Sequence, residues 1–208
     1  REMGLLQEAD FSGSGSLDGR TAFGGAVWAA DAYSVSDGRM VRTAPDDLGA
    51  NNAYLQNKGG VPLASGPVRI AFQFWIEATA VDRKTYGDSL LSLSIKGKFG
   101  AAYQLLVGRS RDSLSKPFGP VSLSFFGGGG YQEIDLSGED FSVGRESQGW
   151  IEITADSARV GFFGHQIDMG EAPGKLGDWM DVAISLNGVG SLGGLSITNL
   201  PTESAGLM

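Results

Sequence analysis

The chain has 208 residues, 41% of them hydrophobic, enough to bury a sizeable core as one domain spanning residues 1–208. Its net charge of −8, with 16 Lys and Arg scattered along the chain, makes nucleic acid and anionic membrane surfaces poor partners and favours neutral ligands. The lack of cysteine excludes disulfides, thiolate zinc sites and Cys nucleophiles, and the 33 glycines follow no three-residue period, which excludes collagen and calls for many turns.

In chain order, the sequence begins at Arg1 rather than Met, as a processed or excised piece of a longer chain does, and carries no leader, lipidation motif or apolar run suited to membrane insertion. The first third, EADFSGSGSLDGRTAFGGAVWAADAYSVSDGRMV, sets an acidic residue before Phe11 and then a Gly/Ser-rich turn. Trp28, Tyr33 to Val35, a Ser-Asp-Gly turn and Met40 to Val41 follow. Pro45 to Leu48 is a candidate short helix. The clearest strand is RIAFQFWIEATA, Arg69 to Ala80, where Ile70, Phe72, Phe74, Ile76 and Ala78 alternate with Arg69, Ala71, Gln73, Trp75 and Glu77. Alternation with a period of two is that of a half-buried antiparallel strand, and this length predicts a central one. Ala80 to Tyr86 is the second helix candidate.

Strand-like runs then recur as SLLSLSI (Ser89 to Ile95), AYQLLVG (Ala102 to Gly108), VSLSFF (Val121 to Phe126) and YQEIDL (Tyr131 to Leu136). They continue as WIEIT (Trp150 to Thr154), ARVGFF (Ala158 to Phe163), WMDVAISL (Trp179 to Leu186) and LSITNL (Leu195 to Leu200). Gly, Asn, Asp and Ser clusters separate them, and no segment sustains a helical period. About a dozen short antiparallel strands cannot cover their own apolar faces in one sheet. The fold class is therefore all-β, a two-sheet antiparallel β-sandwich of the jelly-roll kind.

The opening third and the closing WMDVAISLNGVGSLGGLSITNL together resemble secreted bacterial concanavalin A-like jelly-roll domains, the laminin-G-like and glucanase-like group. That resemblance implies a concanavalin A-like fold, a secreted or cell-surface location, and a protein that binds or cleaves glycans or serves as an adhesive module. It also implies that the terminal strands meet, which would make Asp10 with Asp178 or Asp181 candidates for a structural calcium ion, since an oxygen-only site leaves little sequence trace.

Family 16 glycoside hydrolases, which share that fold, carry Glu-x-Asp-x-Glu or a version with one extra residue before the last Glu. On a strand, positions i, i+2 and i+4 share a face, which lines up nucleophile, assisting Asp and general acid. Glu133 and Asp135 match the first two positions, but the third is Ser137 or, with the extra residue, Gly138, and Glu139 lies one residue further. Without the acid the reaction loses a contribution of roughly 10² to 10⁴-fold, so the pattern argues against catalysis and for a solvent-facing or ligand-binding pair.

Two other motifs carry little chemistry. Gly188, Gly190 and Gly193 satisfy G-x-G-x-x-G, but a strand rather than a helix follows, which predicts a Gly-rich hairpin. His165, the single histidine, lies in FFGHQIDMG without a nucleophile-elbow motif and reads as an exposed turn residue. The HQID order also differs from the Gln-Ile-His strand of jelly-roll alginate lyases.

The remaining signal is an aromatic and polar face. Trp75 shares parity with Gln73 and Glu77, Tyr131 shares parity with Glu133 and Asp135, and Trp150 with Glu152. Sugars present apolar C–H faces rimmed by hydroxyls, so their sites combine an aromatic plate with carboxylates and amides. Trp75, Gln73, Glu77, Tyr131, Glu133 and Asp135 are therefore the candidate carbohydrate-binding residues, with Trp150 assigned to packing. The resulting expectation is a secreted, non-catalytic module that binds polysaccharide or oligosaccharide within a longer chain. A diverged glycan hydrolase or lyase and an adhesive or self-assembling domain are the alternatives.

Overall fold

A computed structural model describes residues 4–44, 52–76, 89–98, 102–109, 121–127, 130–136, 144–154, 157–168, 178–186 and 190–201. Both candidate helices, Pro45 to Leu48 and Ala80 to Tyr86, lie outside them, as does Glu77. The first strands are β1 (Gly4–Glu8), β2 (Gly15–Ser16), β3 (Val27–Ala29), β4 (Tyr33–Ser36), β5 (Arg39–Arg42) and β6 (Ala53–Gln56). They are followed by β7 (Ala64–Ser65), β8 (Val68–Ile76), β9 (Ser89–Gly97), β10 (Ala102–Arg109), β11 (Val121–Gly127) and β12 (Gly130–Leu136). The last are β13 (Ser147–Ile153), β14 (Ala158–Phe162), β15 (His165–Asp168), β16 (Asp178–Leu186) and β17 (Gly190–Asn199). Among the described residues the one helical element is a 3-10 turn at Lys58–Gly60.

The strands form the expected sandwich of two antiparallel sheets. The first runs β15, β14, β13, β8, β17, β5, β4, β2, with β1 also pairing β17; the second runs β12, β11, β10, β9, β16, β6, β3, with β7 also pairing β16. As its pattern predicts, β8 is central, held between β13 and β17. The Ser-Asp-Gly turn joins β4 to β5 as a two-residue hairpin with positive φ at Asp37 (51°) and Gly38 (74°), the backbone that suits the strand twist.

The hydrophobic side of each alternation meets the other sheet's in one buried cluster. Ile70, Phe72 and Phe74 of β8 point inward with Ile151, Val160 and Phe162 from the same sheet, and Leu91, Leu93, Leu105, Phe125 and Ile184 come from the second. Each such side chain contributes about 1.5–3 kcal/mol on leaving water. Phe11, Trp28, Tyr33, Val35 and Met40, the hydrophobic marks of the opening third, all lie in this core. The Tyr33 hydroxyl accepts a hydrogen bond from the Leu186 amide at 2.9 Å, tying β4 of the first sheet to β16 of the second.

Two breaks in alternation coincide with bulges, where an extra residue re-phases the strand. Leu90 and Leu91 are both buried because the pairing of β9 with β10 shifts there. In β17 the register shifts between Leu192 and Gly194, so that Gly193 is the extra residue and Leu192, Leu195 and Ile197 all reach the core. The expected Gly-rich hairpin after β16 is corrected by the topology. The strands it joins, β16 and β17, belong to different sheets, so this connection crosses the sandwich and two of the glycines, Gly190 and Gly193, lie inside β17.

Candidate functional site

Because the inner faces are spent on the core, ligand-facing side chains must stand on the outer faces, and these point to opposite sides of the sandwich. Gln73 and Trp75 stand on β8 of the first sheet, whereas Tyr131, Glu133 and Asp135 belong to β12, the edge strand of the second. The candidate residues therefore do not share one face. Parity within a strand establishes a side of that strand's own sheet and carries no information about which sheet the strand joins.

On the first sheet, register sets three rows of outward residues across the strands. One reads Glu8, Ser196, Ala71, Trp150, Gly161; a second reads Gly194, Gln73, Gln148; a third reads Thr198, Arg69, Glu152, Arg159. The centre of this face is stripped of bulk and encloses a cavity of about 320 Å³, floored by Ala71, Gly194 and Ser196 and walled by Glu8, Gln73, Gln148, Arg69 and Trp150. Trp150, expected to pack, lies over Gly161, where a Cβ would come 2.3 Å from the indole Cε2. The guanidinium carbons of Arg69 and Arg159 lie 5.2 and 5.9 Å from its ring centroid. Both arginines pair with Glu152, Arg69 at 3.0 Å and Arg159 at 2.5 Å. The indole is thus both a packing residue and a cavity wall.

Trp75 is more enclosed than a ligand platform would be. Arg39 stands 5.6 Å from its ring centroid and is itself fixed by a 2.7 Å hydrogen bond to Ser191 Oγ and a 2.8 Å ion pair with Glu146. A cation held on the ring in this way takes up a surface that a sugar would need.

On the second sheet the outward rows are longer. Tyr131, Phe126, Gln104, Ser94, Ala183, Tyr54 and Ala29 lie opposite one another strand by strand. Beside them run Glu133, Ser124, Leu106, Ser92 and Ser185, and on the other side Lys96, Asp181 and Gln56. Asp135 pairs with Ser122 further along β12. Tyr131 is 52% exposed and packs on Phe126 with ring centroids 4.7 Å apart, while its hydroxyl donates to Glu133. At the other end Lys96 Nζ stands 5.3 Å from the Tyr54 centroid. Between the aromatic ends the floor is low and hydroxylated, with Gln104 Nε2 donating to Ser92 Oγ at 2.8 Å. Burial holds the Asp181 carboxyl above the usual carboxylate range, with Lys96 acting in the opposite direction.

Phe126, Gln104, Tyr54 and Lys96 escaped the sequence reading. Phe126 is out of phase with buried Leu123 and Phe125, a parity signal present in VSLSFF. Tyr54 lies between buried Ala53 and Leu55 in the four-residue strand β6, too short to stand out as a periodic run.

The remaining candidates separate. Asp10 follows β1, where Ser12 hydrogen bonds and then Arg20 lower its pKa, whereas Asp178 and Asp181 sit on β16 of the second sheet. The terminal strands do meet, β1 on β17, but in the first sheet, away from these two carboxylates. Among the described residues no three His, Asp or Glu converge, so these residues do not fit the expected calcium site. His165 opens β15 as a half-buried strand residue rather than an exposed turn residue. Ser137, Gly138 and Glu139, which decide the hydrolase pattern, lie outside the described residues.

No protein-family model and no curated protein sequence matches the chain. Solved structures do. The CBM2 module of the evolved Dit of Lactobacillus casei BL23 phage J-1 superposes with a TM-score of 0.58 at 9% identity, covering 96% of this chain and 98% of that one. The exoplasmic/lumenal domain of VIP36, in its Ca2+/Man3GlcNAc-bound form, gives 0.60 at 9% identity, covering 99% and 93%. The carbohydrate recognition domain of Emp47p gives 0.55 at 13% identity, covering 93% and 95%. At these identities the likeness establishes the fold alone: the chain is a two-sheet, jelly-roll β-sandwich, the architecture these three structures share.

Proposed function

We propose that this chain is a non-catalytic carbohydrate-binding module of a secreted or cell-surface protein, and that the outer face of its second sheet is the binding face. The observation that carries the reading is the single row in which Tyr131 with Phe126 at one end and Tyr54 at the other flank Gln104, Ser94 and Ala183. Five strand spacings of about 4.8 Å separate the aromatic ends by about 24 Å, a length suited to several consecutive sugar rings. Aromatic ends take the apolar ring faces, while Glu133, Gln104, Ser92 and Lys96 meet hydroxyl groups. The fold neighbours support the same class, since they include a carbohydrate recognition domain and a domain solved with Man3GlcNAc. Two carboxylates without a third at the acid position favour binding over hydrolysis.

Native affinity electrophoresis through gels containing mannan, xylan, β-glucan or galactomannan tests this. Retardation by at least one polysaccharide is expected, weakened about tenfold by Tyr54→Ala or Tyr131→Ala. No retardation by any of them, or retardation unchanged in both variants, would overturn the assignment. Reducing-end release abolished by Glu133→Gln would replace binding with hydrolysis.

A further inference from the structure

We infer that the cavity on the outer face of the first sheet is a second, independent carbohydrate site, which takes a mono- or disaccharide or the end of a neutral glycan chain between Glu8, Gln73, Gln148 and the wall at Trp150. It lies on the side of the sandwich opposite the row running from Tyr131 to Tyr54, and none of its residues belongs to that row.

The cavity is built by a run of small outward residues at the centre of the sheet. Ala71 on β8 and Gly194 and Ser196 on β17 leave the strand backbones as a floor, between walls provided by longer side chains on either side. The Gly193 bulge brings two successive glycines to this position. At about 320 Å³ the cavity is at the lower end of the roughly 300–1,000 Å³ of small-molecule sites, which suits one or two sugar rings.

Its walls specify a neutral, hydroxyl-rich ligand. The charge of Arg69 is spent on Glu152, which also holds Arg159, and the Glu8 carboxylate stands on the opposite wall. The cavity lining thus carries one cation, Arg69, already paired, and one anion, Glu8, so an incoming anion or cation finds no net attraction to offset its desolvation. Hydroxyl groups, by contrast, can donate to Glu8 and to the amide oxygens of Gln73 and Gln148, and accept from the amide nitrogens. Trp150 closes one side of the cavity as a wall: Gly161, Arg69 and Arg159 hold its ring, so it is fixed before a ligand arrives, which removes an ordering cost from binding. The wall at Glu8 is fixed as well: its amide and carbonyl pair with those of Phe23, and Gln7 beside it clamps the Gly24 carbonyl and the Ala26 amide, each at 3.0 Å. With a site on each outer face, one molecule can hold two glycan chains at once.

Amide correlation spectra of the isotopically labelled chain, titrated with cellobiose, maltose, lactose and mannobiose to tens of millimolar, test the site. Shifts are expected at the Ala71, Gln148 and Ser196 amides and the Trp150 indole N–H, and Gly194→Leu should abolish them. That variant is chosen because a Cβ on Gly194 meets only Gln73 side-chain atoms, at 3.6 Å or more, so it fills the cavity without disturbing the strand. No shifts at these four groups with any of the sugars, or shifts that persist in Gly194→Leu, would overturn the inference. Shifts confined to Ser94 and Gln104 would uphold the second-sheet face while eliminating this cavity, and shifts confined to the cavity would do the reverse.

Discussion

The two outer faces of the sandwich use similar residues in different ways. On the first sheet, tryptophans are held by arginines that are themselves paired: Arg39 with Glu146 beside Trp75, and Arg69 and Arg159 with Glu152 around Trp150. All three ion pairs among the described residues lie on this face. The second sheet carries none of them, and its aromatics stand at the ends of a low strip of Ser, Gln and Ala. An aromatic of outward parity is therefore not by itself a ligand platform. What its neighbours do decides the matter: paired arginines occupy the rings of Trp75 and Trp150 alike, and it is small residues that leave room beside Trp150 and between Tyr54 and Tyr131.

The largest expected break in this contrast is Glu152→Ala. It leaves two arginines beside Trp150 without their carboxylate, and it should cost about 2–3 kcal/mol in urea unfolding. The value falls below that of a fully buried pair because the arginine side chains are 34% and 38% exposed. Lys96→Ala on the opposite face should stay within about 0.5 kcal/mol.

A second comparison lies within the first sheet. Gly161→Ala should cost about 1–2 kcal/mol, since its Cβ would collide with the indole of Trp150. The same change at Gly194 should be neutral or slightly stabilising, because the space there is open and glycine pays extra entropy in a strand. Thermal unfolding of the two variants measures the difference directly.

The smallest effect concerns pH. Burial raises the Asp181 pKa above its usual 3.8, so the fold binds that proton more tightly than the unfolded chain. The resulting stability is present at low pH and is lost as pH rises through the raised value. Asp181→Asn should match wild type below the usual carboxylate pKa and become slightly more stable above it, read as a difference in urea midpoints across pH. A difference of the opposite sign would mean that attraction to Lys96 outweighs desolvation.

Much of the local structure was legible because side-chain alternation is a local property. The runs at β8 through β14 and at β16 and β17 announce themselves by period two, and Asp37 and Gly38 announce their hairpin by the backbone they must adopt. Two apparent faults in that pattern, the Leu90 and Leu91 doublet and the spacing from Leu192 to Leu195, are bulges, each absorbing one residue so that the core face resumes. The candidate site was legible only in part. Tyr131, Glu133, Gln73 and Trp75 all point outward, but their grouping was wrong and Tyr54, Phe126, Ser196 and Gly194 were missed. A four-residue strand such as β6 gives too little periodicity to register, and the value of a glycine or a serine on a face depends on what stands across from it.

By itself, then, the sequence determined that this chain is a glycine-punctuated antiparallel sandwich of acidic charge, with a strand-by-strand division into inward and outward side chains. Only the tertiary structure decided which strands share a sheet, that β16 and β17 close the centres of two different sheets, and that Trp150 rather than Trp75 borders an open cavity. The reason is physical: alternation follows from the geometry of one strand, whereas a binding surface is assembled from residues far apart in the chain by the hydrogen-bond register between strands.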